Sequence, residues 1–436
     1  MSSKATGKKV AKCGLTPKLR FPEFRVGEGW TTETLGSVAS ISTEKVGDKA
    51  CVPMSITSGV GLVSQQEKFG RIIAGSSYKN YLLLKKNDFA YNKSATKEYP
   101  EGFLSLYTGD ELAAVPNSIF TCFRIKGDAP APQYLNYLFH GNLHGQWLRK
   151  FIQVGARAHG SLSINDSDLL ALPVPLPKGQ SSLAEQQKIA ECLNSLDEVI
   201  AAQSQKLDAL KTHKKGLMQQ LFPREGEIQP RLRFPEFQAA LKWEERSLGS
   251  IGSFASGGTP SKDNPDYWNG SIPWVSASSM YELVIERADH YVTPLAIGNG
   301  TRIAKKGSIL ILVRGSMLFK RVPICVAGID VAFNQDVKAL DVNASINTSF
   351  LLYQLSAFQS RFLINETGIG AGKIELDHLK GFELTIPGVP EQQRIASCLS
   401  SLDALITAET QKLEALKTHK KGLMQQLFPA LEEVDA

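Results

Sequence analysis

The sequence predicts an α+β chain of two tandem variable α/β domains. They are separated by two long helices that pair as an antiparallel coiled coil in a pseudo-two-fold arrangement. Three observations lead there. One helical segment occurs twice: residues 185–223 read EQQKIAECLNSLDEVIAAQSQKLDALKTHKKGLMQQLFP, and residues 391–429 read EQQRIASCLSSLDALITAETQKLEALKTHKKGLMQQLFP. The copies lie 206 residues apart without a gap, and only nine of 39 aligned positions differ. An entry motif also repeats, PKLRFPEF at 17–24 and PRLRFPEF at 230–237, with Trp30 matching Trp243 and Leu35-Gly36-Ser37 matching Leu248-Gly249-Ser250. The stretches between these repeats do not match. Fixed-period self-similarity decides architecture before residue-level detail does, and here a constant frame carries two different middles.

The resulting division is a tail at 1–16, a first variable domain at 17–180, a helical region at 181–223, a second variable domain at 224–388, a second helical region at 389–429 and a tail at 430–436. A chain of 436 residues suffices for two or three cored domains. With 42% hydrophobic and 21% charged residues it reads as soluble and globular. The net charge of +6 is compatible with a nucleic-acid partner without being diagnostic of one. The basic start, MSSKATGKKVAKCG, lacks the apolar stretch of a signal peptide. No apolar run approaches the roughly 18 residues of a membrane span. Cys13, Cys51, Cys122, Cys192, Cys325 and Cys398 show no paired metal-type spacing and read as reduced thiols of a cytoplasmic protein.

The helices carry a coiled-coil seam. Ile189, Leu193, Leu196, Ile200, Gln203, Leu207, Leu210, Lys214, Leu217 and Leu221 follow strict 4-3 spacing. The second copy gives Ile395, Leu399, Leu402, Ile406, Glu409, Leu413, Leu416, Lys420, Leu423 and Leu427. At about 1.5 Å per residue each helix spans roughly 60 Å. A Pro-rich stretch precedes each (Pro173, Pro175 and Pro177; Pro387 and Pro390), and Phe222-Pro223 and Phe428-Pro429 end them. Antiparallel pairing sets Leu196 on Leu427, Ile200 on Leu423, Leu207 on Leu416, Leu210 on Leu413, Leu217 on Ile406 and Leu221 on Leu402. It also predicts Lys214 opposite Glu409 and Gln203 opposite Lys420, whereas parallel in-register pairing would oppose Lys214 to Lys420. The alternative is that each helix packs on its own domain.

Both variable domains mix short β-like runs (81–84, 119–123, 308–313) with Gly, Ser and Asn turns, and one helix is expected in each, at 134–151 and 349–363. Apparent catalytic signals fail. The run 368–373, GIGAGK, lacks a P-loop's first glycine, which is Thr367, and has Ile374 after its lysine. Asn264-Pro265-Asp266-Tyr267 lacks the second proline of an adenine methyltransferase motif and reads as a polar turn. His140 and His144 have helical spacing but no third ligand, so a satisfied or exposed pair is expected rather than a metal site. His213 and His419 read as solvated.

Polar, basic loops remain as DNA-contact candidates. The first domain offers Lys93, Ser94 and Lys97 after the aromatics Phe89 and Tyr91, and Arg157, His159 and Ser161 between Gly155 and Gly160. The second offers Arg314, Ser316, Lys320, Arg321 and Lys373. Such groups supply phosphate contacts and bidentate readout of guanine; the alternative is an ordinary solvated loop.

This plan resembles the specificity subunit of type I restriction–modification systems over nearly the whole chain: two variable target-recognition domains, each followed by a repeated helix. In the second domain GGTPSK at 257–262, Tyr267-Trp268, GSIPW at 270–274 and Asn334-Gln335-Asp336 are similar to motifs of such domains, as are the lead-ins at 172–177 and 386–393. The first domain lacks the GGTP opening. The resemblance implies a DNA-recognition subunit without a catalytic centre, reading two different half-sites of double-stranded DNA across a fixed spacer. It implies two modification subunits bringing S-adenosylmethionine, restriction subunits bringing ATP-driven translocation with Mg, and no cofactor in this chain. Rival classes are a stand-alone adenine methyltransferase or nuclease, and a coiled-coil scaffold unrelated to DNA.

Overall fold

The computed structural model describes residues 15–57, 59–97, 99–152, 162–367 and 370–429. It comprises two compact units, residues 1–202 with 413–436 and residues 203–412. These units cut across the sequence-derived segments, because each contains one variable domain, part of the helix Ser182–Leu221 and part of the helix Val389–Leu427.

Both long helices are rich in Ala, Leu, Gln, Glu and Lys, strong helix formers, and Pro390 falls in a first turn, where no amide donor is needed. Burial follows the 4-3 seam. Leu207, Leu221, Glu409, Leu413 and Leu427 are buried, while Leu196, Ile200, Leu210, Lys214, Leu217, Leu402, Ile406, Leu416 and Leu423 are half-buried. In the second unit Gln203 and Lys206 of the first helix meet Glu409 of the second, and Lys214 meets Asp403 at 2.5 Å. Numbers rise along one helix as they fall along the other, so the two helices of this pair run antiparallel.

The polar partners differ from those expected. Lys214 does not pair with Glu409, nor Gln203 with Lys420. Glu409 is taken by Gln203 Nε2 at 2.6 Å and by Lys206. Lys214 lies over the Tyr353 ring, 5.1 Å from its centroid, and binds Asp403, which also accepts the Tyr353 hydroxyl at 2.7 Å. In the first unit Lys420 sits 5.2 Å from the Tyr137 centroid and binds Asp197, which accepts the Tyr137 hydroxyl at 2.9 Å. The variable domain supplies a third partner, so a register deduced from helices alone assigns the lysines wrongly.

The first unit has two four-stranded sheets. One is fully antiparallel, in the order Ala39–Ser42, Phe120–Ile125, Phe89–Asn92, Phe103–Leu106. The other runs Gly61–Ser64, Val52–Thr57, Ala113–Val115, Leu82–Leu84. Phe89 stacks on Phe123 with centroids 5.0 Å apart, and Phe139 meets both edge-on in the core. The helix expected at 134–151 is two, Pro132–His140 and Leu143–Leu148, because Asn142 takes a left-handed φ of 62°. The Pro-rich stretch Pro173–Pro177 is a strand paired only with Trp30–Thr34, an edge position that tolerates proline.

The second unit has a five-stranded sheet, Gly252–Ser256, Val337–Val342, Ile309–Leu312, Ile324–Ala327, Val284–Ile285, and a four-stranded one, His290–Val292, Trp268–Val275, Val331–Phe333, Arg302–Ala304. Arg314–Gly315, Ala371–Lys373 and Asn365–Thr367 form a separate three-stranded ribbon. The expected helix is Thr348–Ala357, capped by the Asn347 side chain accepting from the Phe350 amide. Asn264 caps the turn Pro265–Tyr267 as a polar turn should. Lys373 ends a strand rather than opening a helix, and the helix that comes next, Leu376–Lys380, is only five residues long, which removes the remaining P-loop likeness.

The two units hold their variable domains by the same contacts. In the first, Arg20 makes two bonds of 2.7 Å to Glu185, and Trp30 Nε1 donates to the same carboxylate at 3.3 Å. In the second, Arg233 and Trp243 treat Glu391 identically. Gln186 accepts from the Ala131 amide and Gln392 from the Asn347 amide. The Leu19 amide donates to the Gln426 carbonyl, and the Leu232 amide to the Gln220 carbonyl, both at 2.9 Å. Both repeats thus acquire a physical role: the Arg of the entry motif and its following Trp grip the Glu that opens the repeated helix.

Candidate nucleic-acid interface

The ribbon in the second unit gathers the clearest cationic cluster. Its strands place Arg314 directly opposite Lys373 and Gly315 opposite Gly372. Like charges across a strand pair repel. The arrangement is held by main-chain bonds and by Glu375, 2.7 Å from Lys373 Nζ. Gly315 takes φ 141°, and a side chain at Gly372 would meet Ile364 and Leu318, so both positions require glycine. Arg314 is exposed and Lys373 half-buried.

Lys338 belongs to this cluster and was missed by sequence reading, where it looks like one residue of a β run. Burial lowers its ammonium pKa, Asp336 opposes that shift, and Lys373 adds to it. Lys338 Nζ donates to the Gln335 carbonyl at 3.2 Å, and the Gln335 side chain accepts from the Thr259 hydroxyl at 2.8 Å. The Gly-Gly-Thr-Pro opening and the Asn-Gln-Asp motif therefore meet. Gly257 lies so close to the Phe333 carbonyl that a Cβ would stand 2.1 Å from it. The Gly258 amide donates to that carbonyl, and Trp274 Nε1 donates to Gly258.

The other candidates are less concentrated. Ser316 and Lys320 are exposed around the turn Ser316–Phe319, beside an exposed Phe319. Arg321 is exposed but donates to the Met280 carbonyl at 3.2 Å. In the first unit Lys93 and Ser94 are half-buried and Lys97 exposed, continuing the strand Phe89–Asn92; the Ser94 amide donates to Asn92 Oδ1. Arg157, His159 and Ser161 lie outside the described residues.

The histidine pair is not equivalent. His144 is buried, its Nε2 3.2 Å from the Gly102 carbonyl, and burial pushes its pKa down to about 4. Burial also lowers His140, followed by the neighbouring charge of Lys420. Among the described residues no His, Cys, Asp and Glu cluster could hold a metal ion, and no helix is long and apolar enough to cross a membrane. Cys51, Cys122, Cys192, Cys325 and Cys398 are free thiols.

Comparison with known proteins points one way. A family model described as the type I restriction modification DNA specificity domain matches residues 241–418. The type I restriction enzyme EcoR124I/EcoR124II specificity subunit of Escherichia coli is 30% identical over 248 residues, 56% of this chain and 58% of that protein. The putative MjaX specificity subunit of Methanocaldococcus jannaschii is 24% identical over 332 residues, 75% of this chain and 74% of that one. The chain thus spans little more than half the length of the Escherichia coli relative. The type I S subunit of M. genitalium shares the fold, with TM-score 0.57 and 16% identity over 96% of this chain and all of that one. A chain from a solved type I restriction–modification system gives TM-score 0.58 at 17% identity, covering 92% and 98%. With a specificity domain matched in its second half and specificity subunits among its relatives, the chain is similar to the specificity subunits of type I restriction–modification systems.

Proposed function

We propose that this chain chooses the DNA sequence on which a type I restriction–modification complex acts, and that it catalyses nothing itself. Each variable domain reads one half-site of a bipartite, asymmetric double-stranded site. Two modification subunits bind the helical frame and bring S-adenosylmethionine; restriction subunits bring ATP and Mg, and the complex works in the cytoplasm. The observation that carries this reading is the duplicated clamp, in which Arg20–Glu185 and Arg233–Glu391 fix two domains whose loops and sheets differ. One frame holding two unlike readers suits an asymmetric target. The Arg314–Lys373–Lys338 cluster adds the positive charge that phosphate contacts need. The test is to express the chain with its modification subunits in a host lacking adenine methylation and sequence the methylome. One split adenine motif with two unlike halves is expected; no motif, or a single contiguous one, refutes the reading.

A further inference from the structure

The two variable domains differ in sequence, yet one sheet of each matches strand for strand. In the first unit Ala39–Ser42, Phe120–Ile125, Phe89–Asn92 and Phe103–Leu106 are neighbours in that order, antiparallel throughout. In the second, Gly252–Ser256, Val337–Val342, Ile309–Leu312 and Ile324–Ala327 repeat the arrangement. Register extends the match to single residues. Phe89 pairs with Phe123 and Leu106 as Ile309 pairs with Leu340 and Val326. Just past the inner strand, the Lys93 amide donates to the Ile119 carbonyl at 2.8 Å, and the Lys93 carbonyl accepts from the Leu162 amide at 2.6 Å. The Val313 amide donates to the Asp336 carbonyl and the Val313 carbonyl accepts from the Ile374 amide, both at 2.8 Å. Lys93 and Val313 therefore occupy one structural position, and the residue after each leaves the sheet at the same point: Ser94 in the first unit, Arg314 in the second.

The surroundings of that exit differ in hydrogen-bonding sense. Arg314 has Lys373 opposite it on the ribbon, and Lys338 lies on the neighbouring strand, paired with Ile311. All three side chains carry donors only. In the first unit Thr121 stands where Lys338 does, because it pairs with Tyr91, and its hydroxyl donates to the exposed Asp166 at 3.4 Å. Ser94 brings a hydroxyl, which can donate or accept. The main-chain bonds that fix the exit make no demand on the side chain that follows. Arg314 is exposed, and Ser94 is half-buried with its amide held by Asn92 Oδ1.

We propose that Ser94 and Arg314 read the base at one and the same position of their respective half-sites. Arg314 selects guanine there, since a guanidinium bonds guanine O6 and N7 together. Ser94 makes no such demand, so a single structural position contributes to the asymmetry of the target. This rests on the functional reading above, in which each domain, gripped alike by its helix, reads one half-site.

The experiment compares the methylomes of hosts that carry wild-type or variant chain together with the modification subunits. Arg314→Ser should lower selection for one guanine of the second half-site about tenfold or more and leave the first half-site unchanged. Arg314→Lys should keep that guanine. Ser94→Arg should introduce a preference for guanine at one base of the first half-site, and Ser94→Ala should lower discrimination at the same base. Counted from the adenine methylated in its own half-site, the base altered through Ser94 and the base altered through Arg314 should lie the same number of steps away. Thermal melting of each chain verifies folding, and Ser94→Ala carries the first-unit test if the larger arginine is not accommodated. Folded variants that alter bases at unequal distances, alter both half-sites, or weaken methylation evenly without altering any base overturn the proposal; in the last case the side chains meet phosphate. A wild-type chain that yields no split motif refutes the proposed function instead.

Discussion

Replacing Arg233 with methionine should loosen the second unit by about 3–5 kcal/mol, the cost of leaving one member of a buried pair without its partner. The magnitude follows from the geometry. The side chains of Arg233 and Glu391 are 13% and 3% exposed, so solvent screens little of their attraction. Two bonds of 2.7 Å join them, and the guanidinium also donates to the carbonyls of Ala240 and Leu241. Methionine fills the space of the arginine stem but leaves Glu391 with the 3.3 Å donor Trp243. Glu391→Gln keeps an acceptor for Trp243, so the double variant should cost less than the two singles combined, with a coupling of about 1 kcal/mol or more. Global unfolding of a two-unit chain is not a single transition; native-state hydrogen exchange across residues 230–247 is the appropriate readout. Arg20→Met provides a replicate, read across residues 17–34, because the first unit has the same clamp. A loss below about 1 kcal/mol, or additive single costs, would refute the view that this pair anchors the domain.

Three further outcomes follow. Lys214→Glu should be rescued by Asp403→Lys and not by Glu409→Lys, since Asp403 is the partner seen; a double-mutant cycle by chemical denaturation, expected to show about 0.5–2 kcal/mol of coupling, decides it. Burial keeps the His144 imidazole neutral in the folded state down to about pH 4, whereas the unfolded residue takes up its second ring proton near 6.5. The stability it contributes is therefore present above pH 6.5 and lost as pH falls towards 4, by roughly 3 kcal/mol; His144→Gln should flatten that dependence, and equal pH slopes for variant and wild type in hydrogen exchange of the first unit would contradict it. Lys373→Ala should weaken DNA binding about evenly across sequences and lower the salt slope by about 1, while Arg314→Ala should alter only the half-site read by the second unit; binding titrations over salt and methylome sequencing separate the two.

Much of the frame was legible in the sequence because a seven-residue seam is a local pattern: Ile189 to Leu221 can be read in order along one helix. The entry motif was legible as a repeat but not as a device, because Arg20 meets Glu185 across 165 residues of intervening chain. The polar register misled because Tyr137 and Tyr353, which capture Lys420 and Lys214, belong to the variable domains and carry no helical periodicity. In the candidate interface, Arg314 and Lys373 stood out by their loop-like surroundings. Their position on opposite strands was hidden by the stretch between them. Lys338 carried no signal, since a charged residue in a strand usually faces solvent without a task. The break at Asn142 came from a left-handed residue in an otherwise helical pattern, a conformation that asparagine permits without announcing.

The clamp contacts also explain how one frame accommodates different readers. Four grips recur in each unit: an arginine and a tryptophan on one glutamate, a backbone amide on a glutamine, and a tyrosine hydroxyl on an aspartate. Their spacings are not the same. Arg20 precedes Glu185 by 165 residues and Arg233 precedes Glu391 by 158; Tyr137 precedes Asp197 by 60 and Tyr353 precedes Asp403 by 50. The chain between grips therefore changes length and fold detail while the grips stay in place. Loop closure explains the tolerance, since its entropy grows only with the logarithm of length and a few extra residues cost little. The buried carboxylates, by contrast, cannot lose a partner without a penalty of several kcal/mol. Change in a reader is thus energetically cheap between the grips and expensive at them, which is the pattern the two halves of this sequence display.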